Sequence, residues 1–342
     1  MSDDTSRDET FATITERLNA DPAGLHRLNE PSYNTPSGFP RQLAELCRQF
    51  DGAELFHESV VLFSAADIVE SAGRHLFGRI DEDDLYLDGK TGRVWRLDAD
   101  SGELLEEGSR LHRWLLGFIE GERAMYDADG EFAEDVFGDD GRPTPEFLVR
   151  KERRVLKRDK DALGPRWRLA RALSQQDRLP DARNHLERVV EVREEFSWAW
   201  YDLARISEAL GETSAAIDEM NAAATADPTC EYRGFFYAHC ARLSASLEDE
   251  DARKSYAHSA LQLEPHLVRS HLDGACERLD AGDPDGAGAL VELALAIAPL
   301  DLAALDLRVQ VEAARANPRA ADDVDDLDEA AEDAADKANE PN

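Results

Sequence analysis

Aromatic and cationic side chains recur every 34 residues in the second half of this sequence. The aromatic residues are Trp167, Tyr201 and Phe235, and the cationic residues four positions after them are Arg171, Arg205 and His239. Arg168 and Arg242 lie close by in the chain. Residues four apart share one face of a helix, so each pair would project on the same side. Guanidinium groups bind carboxylates and aromatic rings bury a large area, so the set predicts a groove for a peptide segment that carries carboxylates.

The same residues have a second interpretation that the sequence leaves open. Aromatic side chains at helical spacing also pack in cores, and arginines on a helix surface are often only solvated. The groove interpretation gives these residues a ligand to bind, the packing interpretation gives them only structural neighbours, and the spacing favours neither.

The element that must position these residues is a helix–turn–helix unit over residues 198–228. Trp200, Leu203 and Ala204 share the face of a first helix, Gly211 marks a turn, and Pro228 ends the second helix. This unit resembles the 34-residue tetratricopeptide repeat. In that frame the aromatic and cationic residues line the concave groove. The chaperone-binding form of the repeat uses Lys and Asn at set places, which this sequence lacks, so that type of peptide clamp is disfavoured.

Further repeats are predicted on both sides of that unit. Ala170, Ala204 and Ala238 are 34 residues apart, the frame shifts by about three residues after 238, and Pro265 and Pro299 are again 34 apart. Because one repeat cannot bury its apolar face alone, stacked repeats are expected over residues 161–315. Residues 143–160 are predicted to form a bridging helix or half-repeat. Residues 316–342 are predicted to form an acidic disordered tail.

The first 142 residues have a different periodicity, which predicts an α+β domain. Helices are expected over 11–18 and 41–50, a strand over 54–63 and a helix over 64–73. Alternating apolar residues and glycine turns over 85–108 predict an antiparallel β-meander. Ser109 is expected to cap the helix that follows.

Two segments of this region resemble the SUKH superfamily, which includes Smi/Knr-like proteins. One is the helix end and turn Phe50–Phe56, and the other runs from Leu85–Asp88 through Gly92–Leu97 to the helix containing Trp114 and Leu115. The similarity covers about residues 11–125. It implies a protein-binding α+β domain without enzymatic activity, of the type found in bacterial toxin-immunity proteins.

Motifs for catalysis, cofactors or metals are absent from the sequence. It contains no GxSxG, HExxH or Walker A motif. The Asp127–Gly130 segment has its glycine fourth, whereas a calcium loop of the EF-hand type needs it sixth. We therefore expect no enzyme, no cofactor and no bound metal.

The charge of the chain limits its partners. The formal net charge is −34 at pH 7, which repels nucleic acids and anionic membranes; the same acidity would also suit a saline habitat. Four cysteines without metal-site spacing, no signal peptide and no long apolar run predict a cytoplasmic protein. The leading hypothesis is a protein-interaction protein with two binding modules, including a toxin-immunity role, and the alternative is a regulatory scaffold that assembles cellular proteins. The expected partner is a protein or peptide, such as a toxin or an acidic segment.

Overall fold

The computed structural model describes residues 10–316 except residues 22, 34, 37, 100 and 101. The chain divides into two compact units, and the boundary lies between Val192 and Arg193. The elements of the N-terminal unit are α1 (Phe11–Asn19), β1 (His26–Leu28), α2 (Arg41–Cys47), β2 (Ala53–Leu55), β3 (Val60–Leu62), β4 (Val69–Ser71), β5 (Arg74–Ile80), β6 (Asp83–Asp88), β7 (Val94–Leu97), β8 (Leu104–Gly108), α3 (Leu111–Glu122), a short 3-10 helix (Arg123–Met125), α4 (Pro145–Arg158), α5 (Leu163–Gln175) and α6 (Leu179–Val192). Those of the C-terminal unit are α7 (Ser197–Ala209), α8 (Thr213–Ala226), α9 (Arg233–Ser246), α10 (Glu250–Leu263), α11 (Leu267–Asp280), α12 (Pro284–Ile297) and α13 (Leu302–Ala316).

The strands of the N-terminal unit form one antiparallel sheet. Its order is β1-β2-β3-β5-β6-β7-β8, with β4 paired beside β5. Leu85 and Leu87 on β6 are fully buried, whereas Tyr86 between them is only half-buried, because successive side chains point to opposite faces. The buried face packs with α1, α2 and α3 through residues such as Leu43 and Trp114. The predicted α+β class is therefore confirmed.

Some local predictions for this region were wrong. The predicted helix over 64–73 is a turn followed by β4, because Val69 and Ser71 pair with β5 across a turn in which Ala72 has a φ of 52°. The predicted single strand over 54–63 is two strands, β2 and β3, joined by a turn. Ser109 does not cap α3, since its hydroxyl hydrogen-bonds to Asp159 Oδ1 at 2.7 Å and Arg110 takes the cap position.

The predicted bridging helix exists as α4, and it packs closely on α3. Thr144 Oγ1 caps it by accepting a hydrogen bond from Phe147 N at 3.2 Å. The Val155 carbonyl oxygen lies 3.1 Å from the position a Cβ would take at Gly117, so a glycine favours this approach. An ion pair from Arg158 to Glu120 at 2.6 Å joins the same two helices. The compact N-terminal unit thus extends beyond the predicted domain end at 142.

Helical hairpins with the predicted spacing follow. α5 begins at Leu163 and α7 at Ser197, 34 residues later; α9 begins at Arg233 and α11 at Leu267, also 34 apart. The spacing is 36 between Ser197 and Arg233 and 37 between Thr213 and Glu250, so two residues of the three-residue shift enter before α9 and the third enters between the beginnings of α9 and α10. This series of hairpins confirms the tetratricopeptide-like class. The predicted acidic tail lies almost wholly outside the described residues.

Candidate protein-binding face

Equivalent positions of α5 and α7 carry the same pair of side chains. Trp167 and Tyr201 are each the fifth residue of their helix, and Arg171 and Arg205 are each the ninth. The Arg171 guanidinium lies 5.0 Å from the centre of the Trp167 ring, and that of Arg205 lies 5.9 Å from the centre of the Tyr201 ring. In these two helices the predicted pairing of a cation with an aromatic platform is present.

The predicted pattern does not continue at the same helical positions in α9. Phe235 is the third residue of that helix and His239 the seventh, because the longer connection before α9 moves the helix by two residues relative to the 34-residue period. His239 is only 7% exposed. Its ring lies 4.6 Å from that of Phe235 and 5.5 Å from that of Tyr201. The structure therefore places His239 inside the packing between α7 and α9, where the sequence predicted a groove side chain.

Burial decides the charge of His239 and of a second histidine, His271. Loss of hydration lowers the pKa of His239 well below 6.5, and the neighbouring Arg242 and Arg205 charges lower it further. Burial also lowers the pKa of His271, to about 4. Both rings are neutral at pH 7. Neither can serve as a cation for a ligand at that pH.

Tyr201, Arg205, Glu208, Phe235 and Arg242 form a mixed surface that we call the α7–α9 face. Arg242 Nη2 lies 2.7 Å from Glu208 Oε1. Arg205 contacts the same carboxylate less closely, with its Nε 3.8 Å from Glu208 Oε2. Arg205 Nη1 donates a hydrogen bond to Tyr201 Oη at 3.0 Å. The Arg205 side chain is 54% exposed. The Tyr201 and Phe235 rings are half-buried with centres 5.7 Å apart. The face offers one exposed guanidinium beside two aromatic rings, which suits a ligand with a carboxylate and an apolar side chain.

Glu208, which lies 34 residues before Arg242, was not among the residues predicted for the groove. The 34-residue spacing that identified the cations also relates Glu208 to Arg242, so it could have identified this carboxylate. Its effect is to engage Arg242 inside the protein, so Arg205 is the more available cation of the two.

Arg168 is held by the N-terminal unit. Its Nε donates to Glu152 Oε1 at 2.9 Å and its Nη2 to Glu107 Oε2 at 2.9 Å, while both carboxylate side chains are only 3% exposed. Burial alone would raise the pKa of Glu107, but the Arg168 guanidinium outweighs it and holds that pKa below its usual value. The guanidinium thus links β8 to α4 and α5, in place of the groove role predicted for it.

Two other kinds of site are absent from the described residues. No group of three or more His, Cys, Asp or Glu side chains is arranged to hold a metal ion in that part of the chain. None of the described helices is both long enough and apolar enough to cross a membrane.

Comparison with known proteins found solved structures that are similar to part of the chain. No protein-family model matches the chain, and no curated protein matches it either. A crystal structure of MamA is 20% identical over 44% of this chain and 86% of its own, with a TM-score of 0.34. A thermophilic TPR protein of Thermus thermophilus is 22% identical over 50% of this chain and 90% of its own, with a TM-score of 0.34. PilF of Pseudomonas aeruginosa is 13% identical over 52% of this chain and 80% of its own, with a TM-score of 0.36. No family model supports the SUKH resemblance of residues 11–125, which stays a prediction.

Proposed function

We propose that this chain is a non-enzymatic protein-interaction scaffold that binds a peptide segment of a partner protein on the α7–α9 face. The observation that carries the proposal is the exposed Arg205 guanidinium beside the half-buried rings of Tyr201 and Phe235. Stacked helical hairpins hold such side chains on rigid elements, which lowers the entropy cost of binding.

The expected ligand has two features. A carboxylate would pair with Arg205, and a charge-assisted hydrogen bond of this kind contributes about 1.5–3 kcal/mol when it is shielded from water. An apolar side chain next to it would cover Tyr201 and Phe235. The ion pair between Arg242 and Glu208 would border the site and help to fix the direction of the peptide.

Site-specific photo-crosslinking tests the proposal. A photoreactive phenylalanine analogue replaces Phe235 in the intact chain, which is irradiated in extract of its native host, and crosslinked proteins are identified by mass spectrometry. The matched control carries the same analogue at Arg308, an exposed position of α13. We expect a defined crosslinked partner from position 235 and none of it from position 308.

A second variant links the crosslink to the chemistry of the face. Arg205→Ala should weaken capture of that partner about tenfold, the equivalent of one charge-assisted contact, while Arg308→Ala should leave capture unchanged. The proposal fails if position 235 gives no specific partner, or if Arg205→Ala binds as well as the original chain.

The identity of the partner separates the two functional hypotheses. A cellular protein would support a regulatory scaffold. A toxin would support an immunity role, which rests only on the resemblance of residues 11–125 to the SUKH superfamily and would use the N-terminal unit as a second binding module.

A further inference from the structure

A cavity of about 660 Å³ opens on the surface of the N-terminal unit. It lies between the turn that joins β6 to β7, the beginning of α3, the connection from α4 to α5 and the end of α6. We call it the cationic pocket, and its lining residues are Thr91, Arg93, Ser109, Arg110, Arg113, Lys160, Asp161, Leu163, Arg166, Arg188 and Val192. A volume of this size suits a small ligand.

The charge of the pocket is opposite to that of the chain. Six of its lining residues are arginine or lysine and one is an aspartate, whereas the whole chain has a formal net charge of −34. Such a local excess of positive charge creates a field that attracts and concentrates anions.

Only two of the six cations pair with a carboxylate of the described residues. Arg93 pairs with the buried Glu106, and Arg188 pairs with Glu191 at 3.0 Å. The other four make no such pair among the residues that the structure describes.

Those four cations differ in the contacts they do make. Arg110 donates to the Thr91 carbonyl oxygen and Arg166 to that of Lys160, so both of these partners are uncharged. The side chains of Arg113 and Lys160 make neither a hydrogen bond nor an ion pair within the described part of the chain. Their charges are therefore available to a ligand.

Arg166 carries two further signs of an unfilled anion site. Its Nε is buried and donates to no described group. Burial lowers the pKa of Arg166 and the nearby Arg188 charge lowers it further, and together they outweigh the opposing effect of the Asp161 carboxylate. Burial and then the Arg166 charge also lower the pKa of the adjacent His185.

Two helices add the positive ends of their dipoles to the same pocket. α3 begins after Arg110 and α5 after Ala162, and neither cap residue accepts a side-chain hydrogen bond from its helix. The first N–H of α3, that of Leu111, donates to Gln42 Oε1 at 2.9 Å, and the third residue of α5 is a proline. The Ser109 hydroxyl is diverted to the buried Asp159. Backbone N–H groups at a helix beginning bind phosphate well.

From this combination we infer that the cationic pocket binds a compact ligand with two or more phosphate groups. Arg110, Arg113, Lys160 and Arg166 hold the phosphates, close to the beginnings of α3 and α5. None of the lining residues is aromatic, so no stacking platform for a nucleobase is present and a pyrophosphate group alone suffices for binding. This inference is independent of the peptide site on the α7–α9 face.

Calorimetry on the intact chain tests the inference with inorganic pyrophosphate as the probe. At 0.1 M salt we expect saturable binding with a dissociation constant below about 1 mM. Orthophosphate should bind at least about tenfold more weakly, since it lacks the second phosphate group. Higher salt should weaken binding because it screens exposed charges. Absence of saturable pyrophosphate binding would overturn the inference.

A matched pair of double variants separates the pocket from general charge effects. Arg113→Ala with Lys160→Ala removes two cations without internal partners and should weaken pyrophosphate binding about tenfold or more. The control, Arg27→Ala with Arg41→Ala, removes two exposed cations of the same unit and should leave binding unchanged. Equal losses in both would contradict a specific site. If the first double variant fails to fold, Lys160→Gln alone gives the same comparison at an exposed position.

Two competitors define the class of ligand. Citrate carries three carboxylates and no phosphate, and it should bind at least about tenfold more weakly than pyrophosphate. A synthetic peptide of residues 321–342 carries ten acidic residues and one lysine, and it should fail to displace pyrophosphate at equal concentration. Displacement by this peptide would identify the pocket as a carboxylate site for acidic peptide and overturn the phosphate assignment.

Discussion

Each unit of the chain contains a prominent set of buried polar groups, and the two sets differ in charge. The N-terminal unit buries the charges of Glu107 and Glu152 around the Arg168 guanidinium. The C-terminal unit buries His239 and His271 as neutral rings, with Nδ1 of His239 and Nε2 of His271 lacking a hydrogen-bond partner among described residues. A charge can be buried when counter-charges surround it, and a titratable group without such partners stays neutral instead.

The difference extends to the two candidate binding surfaces. On the α7–α9 face, Arg242 already pairs with Glu208, and only Arg205 is largely available. In the cationic pocket, four of six cations have no carboxylate partner within the described residues. Exposed cations are common on protein surfaces, but the convergence of four cations without an ion-pair partner among the described residues, from the beginning of α3 and from residues 160–166, is what marks the pocket.

The first and largest test divides the chain at two different places. Residues 1–192 should unfold cooperatively as an isolated fragment, because α4 and α5 remain packed on α3 and β8. Residues 1–142 should lack a cooperative transition, since that fragment loses α4, α5 and the Arg168 counter-charge of Glu107. Thermal unfolding followed by circular dichroism distinguishes them. Equal cooperative transitions would instead support the domain end predicted at 142.

The next test removes the central cation of the buried network. Arg168→Ala leaves two buried carboxylates unpaired and should lower the free energy of unfolding of the N-terminal unit by about 3–5 kcal/mol. Arg171→Ala, three residues later on an exposed face of the same helix, should cost about 1 kcal/mol or less. Hydrogen exchange of β8 and α4 measures both effects. Equal small losses would show that Arg168 is a surface cation, as the groove prediction required.

The third test uses the neutral histidines of the C-terminal unit. The unfolded chain protonates His271 near pH 6.5, but the folded chain does so only near its lowered pKa of about 4. Its contribution to stability is therefore complete above pH 6.5 and declines as the pH falls toward 4. Between pH 7 and pH 5 this loss is about 2 kcal/mol.

The variant His271→Leu removes that titration at a similar side-chain volume. Urea unfolding measures the free energy of unfolding of the original chain and of the variant at pH 7 and at pH 5. The decrease from pH 7 to pH 5 should be about 2 kcal/mol smaller in the variant. The same loss in both would mean that His271 is protonated or exposed in the folded state, contrary to its 6% exposure.

The smallest effect concerns helix caps, one in each unit. Thr144 caps α4 and Asp283 caps α12 by accepting from Gly286 N at 2.8 Å. Thr144→Ala and Asp283→Ala should each cost about 1 kcal/mol. Hydrogen exchange should report each loss in its own unit only, and a loss spread over both would argue against two separate compact units.

Much of the local structure was accessible from the sequence, and the exceptions have identifiable causes. The meander over 85–108 and the helix containing Trp114 follow from residue periodicity. The segment 64–73 looked helical, but pairing with β5 made part of it a strand. Ser109 had the right type to cap α3, but the buried Asp159, 50 residues later, engages its hydroxyl instead. A hydrogen-bond partner that lies so far away in the sequence cannot be recognised from the local residue pattern.

The residues of the candidate sites also fall into two groups, those that the sequence identified and those that only the folded structure brought together. The 34-residue period identified Trp167, Arg171, Tyr201 and Arg205 at equivalent helical positions, and the sequence alone determined these. Two extra residues before α9 then placed His239 in the packing, and the carboxylates of Glu107 and Glu152 drew Arg168 inward. The cationic pocket collects residues from 91 to 192, so no sequence window contains it. The sequence determined each helix and its faces because periodicity is local, whereas charge pairing and pocket formation depend on segments that meet only in the folded chain.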